Sequence, residues 1–148
     1  MTADDAARPS LLYAVKQVEL AVRARLDEVL RPTGVTTLQY TALTVLARRT
    51  GMTSAELARN SFVTAQAMTD LVAGMERREL ISRTTDPAHG RRLVISLTPR
   101  GRALLAELGD AVAAIEEQML SRLTAAERAG LRDVLNRCRE ALAAGTSA

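Results

Sequence analysis

Met68, Leu71, Val72 and Met75 stand at i, i+3, i+4 and i+7, the spacing of one apolar face of a helix. The opposite face of that helix carries Ala65, Gln66, Thr69, Asp70 and Ala73, all small or medium side chains. A helix must press into the major groove to reach base edges, and bulky residues at every position would hold it out. Gln66 can present an amide to adenine, and Thr69 a hydroxyl to a base and a methyl to thymine. Thr64, at the start of the helix, can hydrogen-bond a phosphate alongside the helix dipole. Further along, His89-Gly90-Arg91-Arg92 sets two guanidinium groups and an imidazole beside a glycine. A narrow minor groove concentrates negative potential and draws in such an arginine. Asp86, at the base of that turn, can pair with Arg91 or Arg92 and hold the loop's shape. Ser54 and Arg77 complete the set of candidate nucleic-acid contacts. Taken alone, the helix reads better as an ordinary amphipathic helix with a solvated face, and the turn as a common solvated turn; their placement together in one module favours the groove.

Other chemistries are poorly served. His89 and Cys138 are the single histidine and cysteine, so no nucleophile–base pair and no metal cluster can be assembled from them. No glycine-rich phosphate loop occurs, and no cofactor is expected. The lone cysteine excludes an intrachain disulfide and suits a reducing cytoplasm. Arg137 and Arg139 adjoin Cys138 in sequence but point elsewhere on a helix, so a buried or inert thiol is expected rather than a redox switch.

The elements that position these residues follow from periodicity and caps. Leu11, Val15, Val18, Val22, Leu26 and Val29 form one stripe on a long helix opened by Pro9-Ser10, widened by Leu12 and Leu30 and closed by Arg31-Pro32-Thr33-Gly34. Thr37 is expected to cap a second helix with Leu38, Ala42, Val45 and Leu46 inward. Thr53-Ser54-Ala55-Glu56 is a capping-box pattern that opens a short third helix, and Thr64 caps the fourth. A strand from Leu80 to Thr85, turn chemistry at Asp86-Pro87-Ala88-His89-Gly90 and a return strand over Arg92–Thr98 make a hairpin. Thr98-Pro99 starts a helix with Leu104, Leu108, Val112, Ile115 and Met119 inward. Thr124 with Glu127 opens a last helix that runs to about Ala143. Two short helices followed by a hairpin are the layout of a winged helix-turn-helix.

Charge supports that layout. Residues 48–102 hold ten arginines against five acids, an excess of five positive charges, whereas the whole chain of 148 residues carries only +3. The positive charge therefore sits on the segment that reads as a polyanion-binding module. With only Tyr13, Tyr40 and Phe62 as aromatics, the core must be aliphatic. No run of 18 apolar residues exists to span a membrane, and the polar first ten residues contain no signal region, so a cytoplasmic protein is expected.

From about Leu38 to Gly101 the chain resembles the MarR transcriptional regulators. The matching pieces are Thr-Ser-Ala-Glu-Leu-Ala (53–58), Val-Thr-Ala-Gln-Ala-Met-Thr (63–69), Leu-Val-Ala-Gly-Met-Glu-Arg-Arg-Glu-Leu-Ile (71–81), Asp86-Pro87, Gly90-Arg91 and Ile-Ser-Leu-Thr-Pro-Arg-Gly (95–101). The resemblance implies a homodimer on double-stranded DNA, with Thr64–Arg78 as recognition helix and Asp86–Arg92 as wing. It also implies repression, less often activation, released by a small aromatic or lipophilic anionic ligand. Tyr13, Lys16, Gln17, Gln39 and Tyr40 could line a pocket for such a carboxylate; the alternative is that Lys16 faces solvent and Tyr13 an interface. Three positions depart from the family: His89 stands where an acid is usual, Asp70 where a basic or neutral residue is common, and Glu79 where glycine usually ends the helix.

The expected fold is mostly helical with a small β-hairpin wing. Residues 10–36 and 102–143 would form dimerisation helices, 37–101 the winged helix-turn-helix, and 1–9 and 144–148 disordered tails. Three amphipathic helices are more than a module of some sixty residues can cover, so a two-fold dimer interleaving them is favoured over helices folded back on their own module. Asp70 also makes thinkable a winged-helix interaction module that has lost DNA binding.

Overall fold

The computed structural model describes residues 10–145. The tails expected at 1–9 and 146–148 lie outside the described residues, whereas Ala144 and Gly145, assigned to the second tail, are the last residue and the cap of a helix. Helix α1 spans Leu11–Leu30 and begins on Ser10, whose hydroxyl accepts from the Tyr13 amide at 3.2 Å. A 3-10 turn, Arg31–Thr33, and Gly34 at φ 73° turn the chain into α2, Thr37–Arg48. The cap of α2 is Thr36, not Thr37. Only Thr36 has a glutamine three residues on, and Gln39 bonds back to the Thr36 amide to complete a reciprocal box. Thr37 instead donates its hydroxyl to Asp27 of α1.

Helix α3 (Ser54–Asn60) and helix α4 (Ala65–Arg77) follow, capped by Thr53 and Thr64. The hairpin is β1 (Ile81–Asp86) against β2 (His89–Leu97), antiparallel, with Ile81 opposite Leu97 and Thr85 opposite Leu93. Here the structure extends β2 past the expected start at Arg92. Asp86 pairs with His89, so only Pro87 and Ala88 turn the chain, and Gly90, Arg91 and Arg92 bulge out of the ladder between His89 and Leu93. The polar run hides this strand because it carries no alternation of apolar residues. Met52 joins the hairpin through a single antiparallel bridge to Ile95. Helix α5 runs Pro99–Leu120 and α6 Ala125–Ala144, the latter opened by the Thr124/Glu127 box.

The chain divides into two compact units, residues 1–112 and 113–148. In the first, Leu43, Leu46, Met52, Leu57, Met68, Val72, Met75 and Ile95 form an aliphatic and thioether core, with Tyr40 at its edge. The α1 stripe is not part of it: Leu11, Val15 and Val18 are all more than half exposed. In the second unit Ile115 is buried while Leu135 and Leu142 stay exposed. Among the described residues no helix is long and apolar enough to cross a membrane.

Glu79 ends the α4 segment at φ +61°. A left-handed L-residue costs about 1 kcal/mol, and its exposed ion pair with Arg100 at 3.4 Å does little to offset that. Glu79→Gly is therefore expected to raise the urea midpoint, by the equivalent of about 0.5 kcal/mol once glycine's extra freedom in the unfolded chain is counted. A lower midpoint would contradict this reading of the turn.

Candidate nucleic-acid interface

Helix α4 presents its two faces as the spacing predicts. Met68, Val72 and Met75 are buried and Leu71 half-buried, while Thr64, Ala65, Gln66, Thr69, Asp70 and Arg77 are exposed. The Thr64 hydroxyl accepts from the Ala67 amide at 3.1 Å, which leaves other first-turn amides pointing outward at the positive end of the helix dipole. Thr69 donates its hydroxyl to the Ala65 carbonyl at 3.1 Å, so toward a base the hydroxyl is left to accept. Ser54, first residue of α3, is half-buried beside the Thr53 cap.

At the hairpin tip His89, Gly90, Arg91 and Arg92 are all exposed. Asp86 does not hold them. Its carboxylate accepts from the Ala88 amide at 2.9 Å, because a two-residue turn brings that amide closer than either guanidinium. Arg92 turns back instead onto Glu56 of α3. The same carboxylate takes Arg49 at 2.6 Å and the Thr53 hydroxyl at 3.0 Å. The Thr53 bond, reinforced by Arg92 and Arg49, holds the Glu56 carboxyl below its ordinary pKa against the cost of desolvation. Glu56 thus ties the wing and the end of α2 to α3. Arg91 has no ion-pair partner among the described residues and stands free at the tip.

Two further struts orient α4. Arg83 on β1 grips Glu76 with two bonds, at 2.9 and 3.1 Å, which lowers the Glu76 pKa. Arg78, at the helix end, donates to the Thr33 carbonyl of the turn between α1 and α2. Neither strut is visible in the sequence, since the pairs join separate elements with no periodic relation.

The five residues expected to line a ligand pocket are dispersed. Tyr13, Lys16 and Gln17 are exposed on α1, and Gln39 is engaged in the α2 cap. Tyr40 packs on the core edge, where burial raises its pKa. A groove of about 480 Å³ does lie between α1, α2 and the α3–α4 turn, but its walls are other residues, among them Val22, Arg23, Leu38 and Phe62. Cys138, expected to be buried or inert, is exposed on α6.

A family model described as MarR family matches residues 33–92, from the turn before α2 to the wing. The HTH-type transcriptional repressor Rv2887 of Mycobacterium tuberculosis is 36% identical over 135 residues, covering 91% of this chain and 95% of that protein. This chain belongs to the MarR family. The MarR likeness extends to solved structures. Rv2887 in complex with DNA superposes with a TM-score of 0.72 at 30% identity, covering 88% of this chain and 98% of that one. Rv2887 with salicylic acid gives 0.72 at 32% identity, covering 90% and 98%. The MarR similarity therefore takes in the terminal helices as well as the winged-helix module. Glu79, at the position where the resemblance implies glycine, is left-handed in this chain.

Proposed function

We propose that this MarR-family protein is a sequence-specific transcriptional repressor that binds a pseudo-palindromic operator as a homodimer. The observation that carries this reading is the exposed small polar face of α4 in the same module as the exposed, unpaired Arg91 of the wing. Residues 37–101 would form the DNA-binding module. Residues 10–36 and 102–143 would form the dimerisation region, a role supported by the exposed apolar stripe of α1 and by exposed Leu135 and Leu142 on α6. Gln66 and Thr69 are proposed to read base edges, and Thr64 and Arg77 to take phosphates. A small aromatic or lipophilic anion is proposed to release the operator in the cytoplasm, as supported by the Rv2887 complex with salicylic acid.

Selection of bound duplexes from random DNA tests this reading, and Gln66→Ala sharpens it. The variant is expected to keep affinity for the bulk of the selected sites but lose preference at one base pair per half-site, a discrimination of about 1–3 kcal/mol. Selection that returns no shared sequence would contradict it. A second reading is favoured by one observation, the exposed carboxylate of Asp70 on the reading face. It makes the chain a winged-helix interaction module, whose binding would depend little on salt.

A further inference from the structure

Five acids stand among the ten arginines of residues 48–102: Glu56, Asp70, Glu76, Glu79 and Asp86. Four of them are engaged. Glu56 holds Arg49, Arg92 and the Thr53 hydroxyl, and Glu76 holds Arg83. Glu79 faces Arg100 at 3.4 Å, and Asp86 accepts the Ala88 amide. Asp70 alone has no hydrogen-bond or ion-pair partner among the described residues, and it is exposed on α4. One helical turn away on either side stand Gln66, Ala67, Ala73 and Gly74, so no neighbouring cation on its own helix compensates it. Three of those four neighbours are small, which leaves the helix free to approach a groove floor closely at this point.

An uncompensated carboxylate on a face that meets a polyanion repels the phosphates around it, unless a base edge supplies a donor. An ionised carboxylate can only accept. Thr69 beside it is also left to accept, because its hydroxyl proton is given to the Ala65 carbonyl. The middle of the α4 face is therefore a pair of acceptors. In the major groove only two base groups donate, the N6 amine of adenine and the N4 amine of cytosine. Adenine sets its N7 acceptor beside that amine, where it repels a carboxylate; cytosine carries no acceptor of its own on that edge. Guanine and thymine turn only acceptors or a methyl toward the groove.

We propose that Asp70 is a specificity-determining residue: it accepts from the N4 amine of one cytosine in each half-site and penalises every other base there. This rests on the operator-binding reading above and names part of the sequence that the operator contains. A cation at this position would add affinity for every duplex. The acid instead lowers affinity for DNA at large and returns it only at cytosine, which widens the gap between cognate and non-cognate sites.

The test is selection of duplexes from random DNA by the full-length wild type, Asp70→Ala and Asp70→Asn. Each protein is then titrated against the wild-type site and against copies with the cytosine replaced. Both variants are expected to fold, since Asp70 has no hydrogen bond or ion pair to lose. The wild type is expected to select cytosine at one position per half-site and to bind about tenfold more weakly for each half-site in which it is replaced. Asp70→Ala is expected to lose that preference and to bind the replaced duplexes about threefold more tightly than the wild type does, the scale of one exposed charge pair. Asp70→Asn is the sharper arm. An amide both donates and accepts, so the selected base is expected to move from cytosine to adenine. A merely structural role would lower affinity for all duplexes alike and move no base preference. One shared site with the same base preferences in all three proteins overturns the proposal and leaves the operator-binding reading standing. No shared sequence from any of the three overturns both. A shared sequence that appears only with Asp70→Ala also overturns the proposal, and makes the acid a block to DNA on a face that meets another protein.

Discussion

Arg91→Ala is expected to weaken binding to every duplex, cognate or not, by about tenfold or more. Arg91 lies in the bulge of β2 close behind the Pro87-Ala88 turn, exposed and without an ion-pair partner among the described residues. A guanidinium in that setting meets phosphate or a narrow minor groove, and a charge-assisted hydrogen bond contributes about 1.5–3 kcal/mol. Each phosphate contact also releases counterions, so log affinity falls with log salt by about 0.9 per contact. A dimer carries two wings, and losing both contacts should flatten that slope by about 1.8. Arg92 is the control. Its guanidinium is held by Glu56, so Arg92→Ala should loosen the wing from α3 rather than remove a contact from the DNA. If Arg91→Ala leaves affinity and slope as they were, the wing has been misplaced.

The second large effect falls on stability. A Cβ at Gly101 would stand 2.2 Å from the Leu80 carbonyl oxygen and 3.2 Å from Leu97 Cδ2. That oxygen cannot swing aside, because it accepts the Thr98 amide at 3.1 Å. Thr98 in turn caps α5 through the Gly101 amide at 3.0 Å and donates to the Glu79 carbonyl at 2.6 Å. Even alanine must therefore push the first turn of α5 away from the hairpin. Gly101→Ala is expected to cost about 3 kcal/mol, the upper part of the usual range for overpacking. Urea unfolding reads this directly, and a midpoint equal to the wild type would show that the contact yields.

What the sequence reveals and what it hides divide along a physical line. Thr53, Thr64, Thr98 and Thr124 are legible as caps because each acts on a residue three positions ahead, and the α4 faces are legible because helical spacing is local. The α1 stripe is equally plain, and its first half stays exposed in the single chain. The hidden features are long-range or strained. Arg92 reaches Glu56 across 36 positions and Arg78 reaches Thr33 across 45. Asp86 reads in sequence as a partner of Arg91 or Arg92, and the two-residue turn gives its carboxylate the Ala88 amide instead. The left-handed Phe62 has no composition signal at all, since its neighbours are ordinary turn residues. The groove between α1, α2 and the α3–α4 turn is hidden for a related reason: one of its walls comes from a turn distant in sequence from the other two.

The central claim is that two copies of α4 read DNA as a symmetric pair. Hydroxyl-radical footprinting of a selected duplex tests it most directly. The account predicts two protected segments related by two-fold symmetry, their centres about one helical turn, roughly 10 base pairs, apart. Protection of a single asymmetric segment, or binding that is insensitive to salt and leaves no footprint, would contradict it.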